Sequence, residues 1–368
     1  MRTRPTQALL SHRTPACLPH PQTLTHFFAL AFRLVDRLVK GLPTPLWWAL
    51  LLCPMSMIGI VNAQGQTAPT TSPVTSTANT IDTTNTPPFS LENDLMKEDF
   101  HLATTVRGQH LDVMVMEGEA FRCMSFDRRN LFQSCMLKAQ PEVLALEYTR
   151  GLLAGMHWLP RPPQRILLIG MGGGSIPKAL MQYAPDAKVD VVELDAAVVQ
   201  VAQDCFGFQP TPSMRVHVMD ARVFVRQQIR QQQTYDLIML DAFDHDYIPE
   251  HLLTVEFLSQ IRQLLAADGI VVANTFARGR LLPHEEATWQ AVFPSLWRAK
   301  RLENDILYAA TQALTLQSAD DPLDALTGRW DDYPAQPVPP STARPLTDQW
   351  SPTNLLRHMG ADFSFDSQ

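Results

Sequence analysis

Between residues 165 and 311 short, wholly apolar runs alternate with amphipathic stretches of helical period. The run at 166–169, Ile-Leu-Leu-Ile, lacks the in-out alternation of a half-exposed strand and predicts a strand buried on both faces of a parallel sheet. Further strands are expected at 188–194, 214–219, 235–240 and 270–274, and helices at 176–183, 196–205, 255–265 and 285–293. Residues 296–302 and 306–311 read as an antiparallel pair at the sheet edge. This alternation predicts an α/β domain with a doubly wound, mostly parallel sheet. Ahead of it, 111–116, 121–126 and 131–136 predict three short strands of a small antiparallel module, turning at 117–119 and 127–130. Residues 142–156 carry apolar positions at helical spacing; whether Glu147 and Tyr148 face a site or solvent stays open.

The flanks are different. Residues 1–45 carry Arg2, Arg4, Arg13, Arg33, Arg37 and Lys40, with Asp36 the only acid, and 46–61 is uncharged and apolar. That stretch is short for a spanning helix and suits a signal-peptide core, and Val61, Asn62 and Ala63 offer small residues for a peptidase. Cleavage after Ala63 is preferred to a retained anchor, and Pro54 argues against a buried globular helix. Residues 64–88 are a Thr/Ser/Pro/Asn tract that cannot offset its own ordering entropy. The basic leader then stays in the cytoplasm and the folded part is exported, periplasm-facing in a bacterium. A start codon further along the chain would instead leave it cytoplasmic. The expected division is a leader with signal peptide or anchor (1–63), a linker (64–100), a β module (101–140), the α/β domain (141–317) and a Pro/Asp-rich extension (318–368) with a short final helix near 354–358.

At 368 residues and 45% hydrophobic composition the chain can bury a sizeable core. Its net charge of -7, without a Lys/Arg run, argues against a nucleic-acid partner. His217, His245 and His251 have no metal-ligand spacing, so no metal is expected. With the second module turn centred on Arg129, Cys123 and Cys135 face each other: a disulfide in an exported chain, two half-buried thiols in a cytoplasmic one, the thiols being preferred.

Candidate chemistry collects at strand ends. Gly170, Gly172, Gly173 and Gly174 follow the first apolar run, where the backbone must turn and let a ligand approach, and Pro177 fits the first turn of the next helix. Glu193 ends the second strand, where dinucleotide-type folds accept a ribose hydroxyl pair, while Asp195 fits a helix N-cap. Asp220 and Ala221 end the third strand, where a carboxylate accepts from an adenine amino group or simply caps a helix. Asp241 and Asp244 follow the fourth, with Asp246 and Tyr247 close behind. Ligands of open α/β sheets bind outside the carboxyl ends of the strands, so these groups are expected to converge on one crevice.

Taken together, these residues resemble the spermidine synthase family of aminopropyltransferases, a branch of the class I S-adenosylmethionine methyltransferase fold, from about residue 109 to 311 with a trailing match at Leu346, Thr347, Asp348 and Pro352. The resemblance implies that Gly170, Gly172, Gly173, Gly174, Glu193, Asp220 and Ala221 hold decarboxylated S-adenosylmethionine or S-adenosylmethionine as cosubstrate. It implies catalytic roles for Asp241, Asp244 and Tyr247, a small amine as substrate, and a homo-oligomer formed through the β module. The chain departs from the family in having Ser175 where an aspartate follows the glycines, and Ala273, Asn274, Thr275 and Phe276 where a glutamate follows the fifth strand. Both departures remove negative charge.

The leading expectation is therefore alkyl transfer from a sulfonium donor, with Asp241 taking the amine's proton and Asp244, Asp246 or Tyr247 neutralising the far ammonium. The alternatives are methyl transfer from S-adenosylmethionine, whose carboxylate the missing aspartate would no longer repel, and an exported, non-catalytic protein binding a polyamine or nucleoside. An NAD-dependent dehydrogenase is weaker, because Ser175 occupies the place of the third fingerprint glycine.

Overall fold

The computed structural model describes residues 88–126, 131–242, 248–300, 304–315 and 335–358, which belong to one compact unit. The leader, the Thr-rich tract, the turn at 127–130, Asp244, Asp246, Tyr247 and most of the extension lie outside the described residues.

The expected linker ends earlier than residue 100, because Pro88–Leu95 is a helix, α1. Leu91 and Leu95, one turn apart, are both buried and anchor it. The module then has four strands rather than three: β1 (His101–Arg107), β2 (Asp112–Glu117), β3 (Phe121–Phe126) and β4 (Phe132–Leu137), an antiparallel meander in chain order. β1, HLATTVR, alternates exposed with half-buried positions and buries none, so it leaves no apolar signature in the sequence. Cys123 and Cys135 are direct cross-strand partners and form a disulfide, which corrects the preference for thiols. The pairing register brings their Cβ atoms face to face.

α2 (Glu147–Ala154) begins five residues later than the apolar spacing suggested and runs into a 3-10 turn, Gly155–Trp158. The main sheet follows. Its parallel strands are β5 (Arg165–Ile169), β6 (Lys188–Glu193), β7 (Met214–Val218), β8 (Tyr235–Leu240) and β9 (Leu265–Thr275). Helices α3 (Ser175–Tyr183), α4 (Ala196–Phe206), α5 (Ala221–Arg230) and α6 (Val255–Leu264) connect them. β9 starts directly after α6, so Asp268 and Gly269 lie inside the strand near a register shift against β8 rather than in a turn between helix and strand. α7 (Leu281–Gln290) precedes the antiparallel pair β10 (Ser295–Ala299) and β11 (Asp305–Ala310). That pair is not the edge: β12 (Ala335–Pro337) adds beyond β10, and α8 (Thr353–His358) follows.

The sheet order is β12-β10-β11-β9-β8-β5-β6-β7. Successive residues of one strand enter different cores, Ile166, Leu168, Leu237 and Met239 on one face and Leu167, Ile169, Ile238 and Leu240 on the other. Period-two alternation between two apolar layers is why these strands read as unbroken apolar runs. Strand order reverses between β5 and β8, and at such a switch point the diverging connections leave a crevice.

Candidate active site

At the switch point the chain ends of β5 and β8 are held close. Asp241 N donates to Ile169 O at 2.8 Å, and Gly170 N donates to Val192 O at 2.8 Å. Gly170 has φ 87°, and a Cβ there would lie 2.2 Å from the backbone oxygen of Asp241, so only glycine permits this approach. A cavity of 660 Å³ opens above, and Gly170 and Gly172 line it. Gly173, Gly174 and Ser175 do not. A Cβ on Gly173 would strike Ser134 and Phe206, and one on Gly174, the N-cap of α3, would strike Phe208. Half of the expected glycine cradle thus serves the seating of α3 against β4 and the end of α4. Ser175, in the place of the family aspartate, faces the Ser134 hydroxyl at 3.4 Å.

The cavity is acidic. Glu92, Glu193, Asp195, Asp220 and Asp241 line it, and no Lys or Arg does so among the described residues. At its floor, Asp241 accepts from Asn274 Nδ2 at 3.0 Å and lies within hydrogen-bonding reach of the Tyr148 hydroxyl. Tyr148 also donates to Gln133 O at 3.1 Å, so its one proton is shared between β4 and the carboxylate. Burial pushes the Asp241 carboxyl up to about 7, aided by the charge of Glu193, while the Asn274 and Tyr148 bonds oppose the rise. Burial also raises Tyr148 well above the usual phenol range, with the Asp241 charge adding to it.

Glu193 receives two backbone amides, Met171 N on Oε2 at 3.2 Å and Asp195 N on Oε1 at 3.1 Å. Burial raises its carboxyl all the same. An ionised carboxylate offers about four lone-pair sites, so with the Leu194 amide also bonded it keeps acceptor capacity for a ribose hydroxyl. Asp195 is the expected N-cap: Oδ1 accepts from Ala197 N at 2.9 Å, and Oδ2 accepts from His110 N at 2.9 Å, which ties the β1–β2 turn to the site. Desolvation works against its charge, but the amides of His110, Ala197 and Gln109 outweigh it and hold the carboxyl below the usual range. Asp220 takes the helix-cap role and also stands on the cavity wall. Oδ1 caps α5 through Val223 N at 2.9 Å, and Oδ2 faces the cavity and His251 Nε2 at 3.2 Å. Ala221 lines the same wall. The catalytic expectations for Asp244 and Tyr247 fall outside the described residues.

Several lining residues were invisible in sequence. Asn304 Nδ2 donates to Asn274 Oδ1 at 2.9 Å, forming a relay to Asp241. Glu92 of α1 reaches the cavity and caps α2 through Glu147 N at 3.1 Å, replacing the side-chain cap that Leu146 cannot give. In the sequence Asn274 stands out only as part of the stretch that lacks the family glutamate, and nothing local to Tyr148 shows which way it faces. Among the described residues no group of three or more His, Cys, Asp or Glu is arranged to hold a metal ion.

The spermine/spermidine synthase domain model matches residues 148–289. The polyamine aminopropyltransferase of Vibrio vulnificus (strain CMCP6) is 39% identical over 273 residues, covering 67% of this chain and 88% of that protein. The eEF1A lysine and N-terminal methyltransferase of Mus musculus is 29% identical over 177 residues, which is 44% of this chain but 25% of the relative. Among solved structures, a probable spermidine synthase from Corynebacterium glutamicum ATCC 13032 superposes with a TM-score of 0.53 at 22% identity, over 67% of this chain and 96% of that one, a likeness of fold.

Proposed function

The chain belongs to the spermine/spermidine synthase family, and we propose that it transfers an aminopropyl group from decarboxylated S-adenosylmethionine to a small amine. The observation that carries this reading is the cavity wall, which among the described residues has five carboxylates and no lysine or arginine. A sulfonium and an ammonium are both cations and are favoured there. The methionine carboxylate of S-adenosylmethionine finds no cationic partner among the described lining residues, which argues against methyl transfer.

In this mechanism Glu193 accepts the ribose hydroxyls, and Asp220 accepts from the adenine amino group beside Ala221. The acceptor arrives mostly as an ammonium of pKa about 10 and must lose a proton to attack. Asp241 takes that proton, and the Tyr148 and Asn274 donors keep its carboxylate oriented. The amine lone pair then forms the new C–N bond at the propyl carbon bound to sulfur. The C–S bond breaks, its electron pair neutralises the sulfonium, and 5′-methylthioadenosine leaves. A base whose pKa is about 7 is matched to neutral pH, and the approaching cations draw it towards its ionised form. Calorimetric titration with the two donors tests the reading: decarboxylated S-adenosylmethionine should bind at least tenfold more tightly, and equal or reversed affinities would turn it to methyl transfer.

For compartment, the reading is an exported or membrane-anchored domain, supported by the basic leader, the apolar stretch at 46–61 and the Cys123–Cys135 disulfide, which persists in oxidising surroundings. Among the described residues no helix is long and apolar enough to cross a membrane. Labelling of unreduced protein from cells, with the label mapped by mass spectrometry, checks this, since labelled Cys123 and Cys135 would place the domain in the cytoplasm. For assembly, the reading is a homo-oligomer joined through the module, supported by β1 standing at the open edge of the four-stranded sheet; light scattering of the purified chain decides it.

A further inference from the structure

Residues 341–358 do not line the cavity, yet they hold a segment that does. Pro249, His251 and Leu252 form the wall next to Asp220. Asn354 of α8 grips Ile248 in both directions: its Oδ1 accepts from Ile248 N at 3.0 Å and its Nδ2 donates to Ile248 O at 3.0 Å. The same Nδ2 reaches Glu250 Oε1 at 3.3 Å, and the Ser351 hydroxyl donates to Glu250 O at 3.4 Å.

Asp348 fixes the other end of the segment. It receives Arg222 Nη1 at 2.8 Å and Nη2 at 2.5 Å, a two-pronged bond, and the Thr254 hydroxyl at 2.8 Å. Arg222 also donates to His251 O at 3.3 Å, and Val255 N donates to Leu346 O at 2.9 Å, with Leu346 buried. Arg222 lies in the first turn of α5, two residues after Asp220, so one salt bridge joins the tail, the wall and the helix that Asp220 caps. Charged, two-pronged bonds of this kind define orientation as well as energy.

We propose that the C-terminal segment is a positioning strap for the nucleoside side of the site, with Asn354 and Asp348 setting where His251 and Leu252 stand against Asp220 and so how tightly the donor's adenine is held. This rests on the reading that a nucleoside-bearing donor occupies the cavity. Neither residue acts on the reacting atoms, which lie at Asp241 beyond a different strand. Loosening the strap therefore weakens donor binding and spares the chemical step, which separates it from a merely structural role.

The test uses the full chain carrying Asn354→Ala or Asp348→Asn, titrated calorimetrically with 5′-methylthioadenosine and assayed in the steady state. Each variant should bind about fivefold more weakly, the equivalent of one lost hydrogen bond, with a parallel rise in donor KM and kcat within about a factor of two. Should Asn354→Ala fail to fold, Asn354→Asp, which keeps the acceptor for Ile248 N, should show a smaller loss in the same direction. Variants that bind as the wild type does, with only a lowered Tm, overturn the strap alone. A wild-type chain that does not bind 5′-methylthioadenosine overturns the reading of the cavity, and the strap with it.

Discussion

Asn274 donates its side-chain amide to a carboxylate oxygen of Asp241 across 3.0 Å. The direction of that bond is enforced from behind, because Asn304 donates to the oxygen of the same amide at 2.9 Å. A flipped Asn274 would present its oxygen to the carboxylate and lose both bonds. The amide thus acts as a fixed neutral donor where the family resemblance leads one to expect an acid. It favours the ionised form of Asp241 without adding charge to the cavity.

Removing that donor should move the pH profile. Asn274→Ala should raise the acid limb of kcat/KM by about one pH unit, since a hydrogen bond to a charged group contributes about 1.5–3 kcal/mol. Asn304→Ala should shift it in the same direction by less. Steady-state rates from pH 5 to 9 give the limb directly, and an unmoved limb in both variants would remove the relay from the account.

Asp241→Asn separates chemistry from binding. Turnover should fall by about 10²- to 10⁴-fold, the usual contribution of a positioned base, while 5′-methylthioadenosine affinity changes by less than about threefold. Stability should change in a pH-dependent way. The carboxyl is raised in the folded state from its ordinary value to about 7, so holding it ionised opposes folding, increasingly from about pH 4 and fully above pH 7. The variant should therefore melt higher than wild type at pH 8, by about 2 °C or more, and close to it at pH 4. Calorimetric scans at the two pH values show whether the difference grows in that direction.

At the nucleoside end, Glu193→Gln keeps an acceptor for one backbone amide but loses the charge and one of its two oxygens. Donor KM should rise about tenfold, with a smaller effect on kcat, because the interaction is made in ground and transition states alike. A drop confined to kcat would relocate Glu193 to the chemical step.

The disulfide closes a short loop, its cysteines separated by 12 positions. Loops of that size are stabilised by about 3 kcal/mol, so mild reduction should lower Tm by about 5 °C or more. Ser134, next to Cys135, packs against Gly172 and Gly173, so donor affinity should fall together with Tm. Scanning calorimetry with and without reductant, followed by titration, tests both.

The parallel strands were legible because burial on both faces leaves apolar runs such as Ile166 to Ile169 unbroken, and an acid stands at or just beyond the carboxyl ends of β6, β7 and β8. Glu193, Asp220 and Asp241 could be placed in one crevice on that ground alone, and the structure brings all three to the cavity wall. β1 was illegible because no residue in it is buried. Four glycines within five positions suggest a ligand; the structure adds a packing reason for two of them, since Gly173 and Gly174 make room for Phe206 and Phe208. Tyr148 and Asn304 gain their meaning from partners far away in the chain. The Arg222–Asp348 bond spans 126 positions and leaves no local pattern.

The most direct measurement is turnover. The full chain, incubated with decarboxylated S-adenosylmethionine and 1,4-diaminobutane, should yield 5′-methylthioadenosine and an amine heavier by one aminopropyl group, both read by mass spectrometry. Asp241→Asn should yield neither. Release of S-adenosylhomocysteine from S-adenosylmethionine, with no aminopropylated product from the decarboxylated donor, would contradict the account.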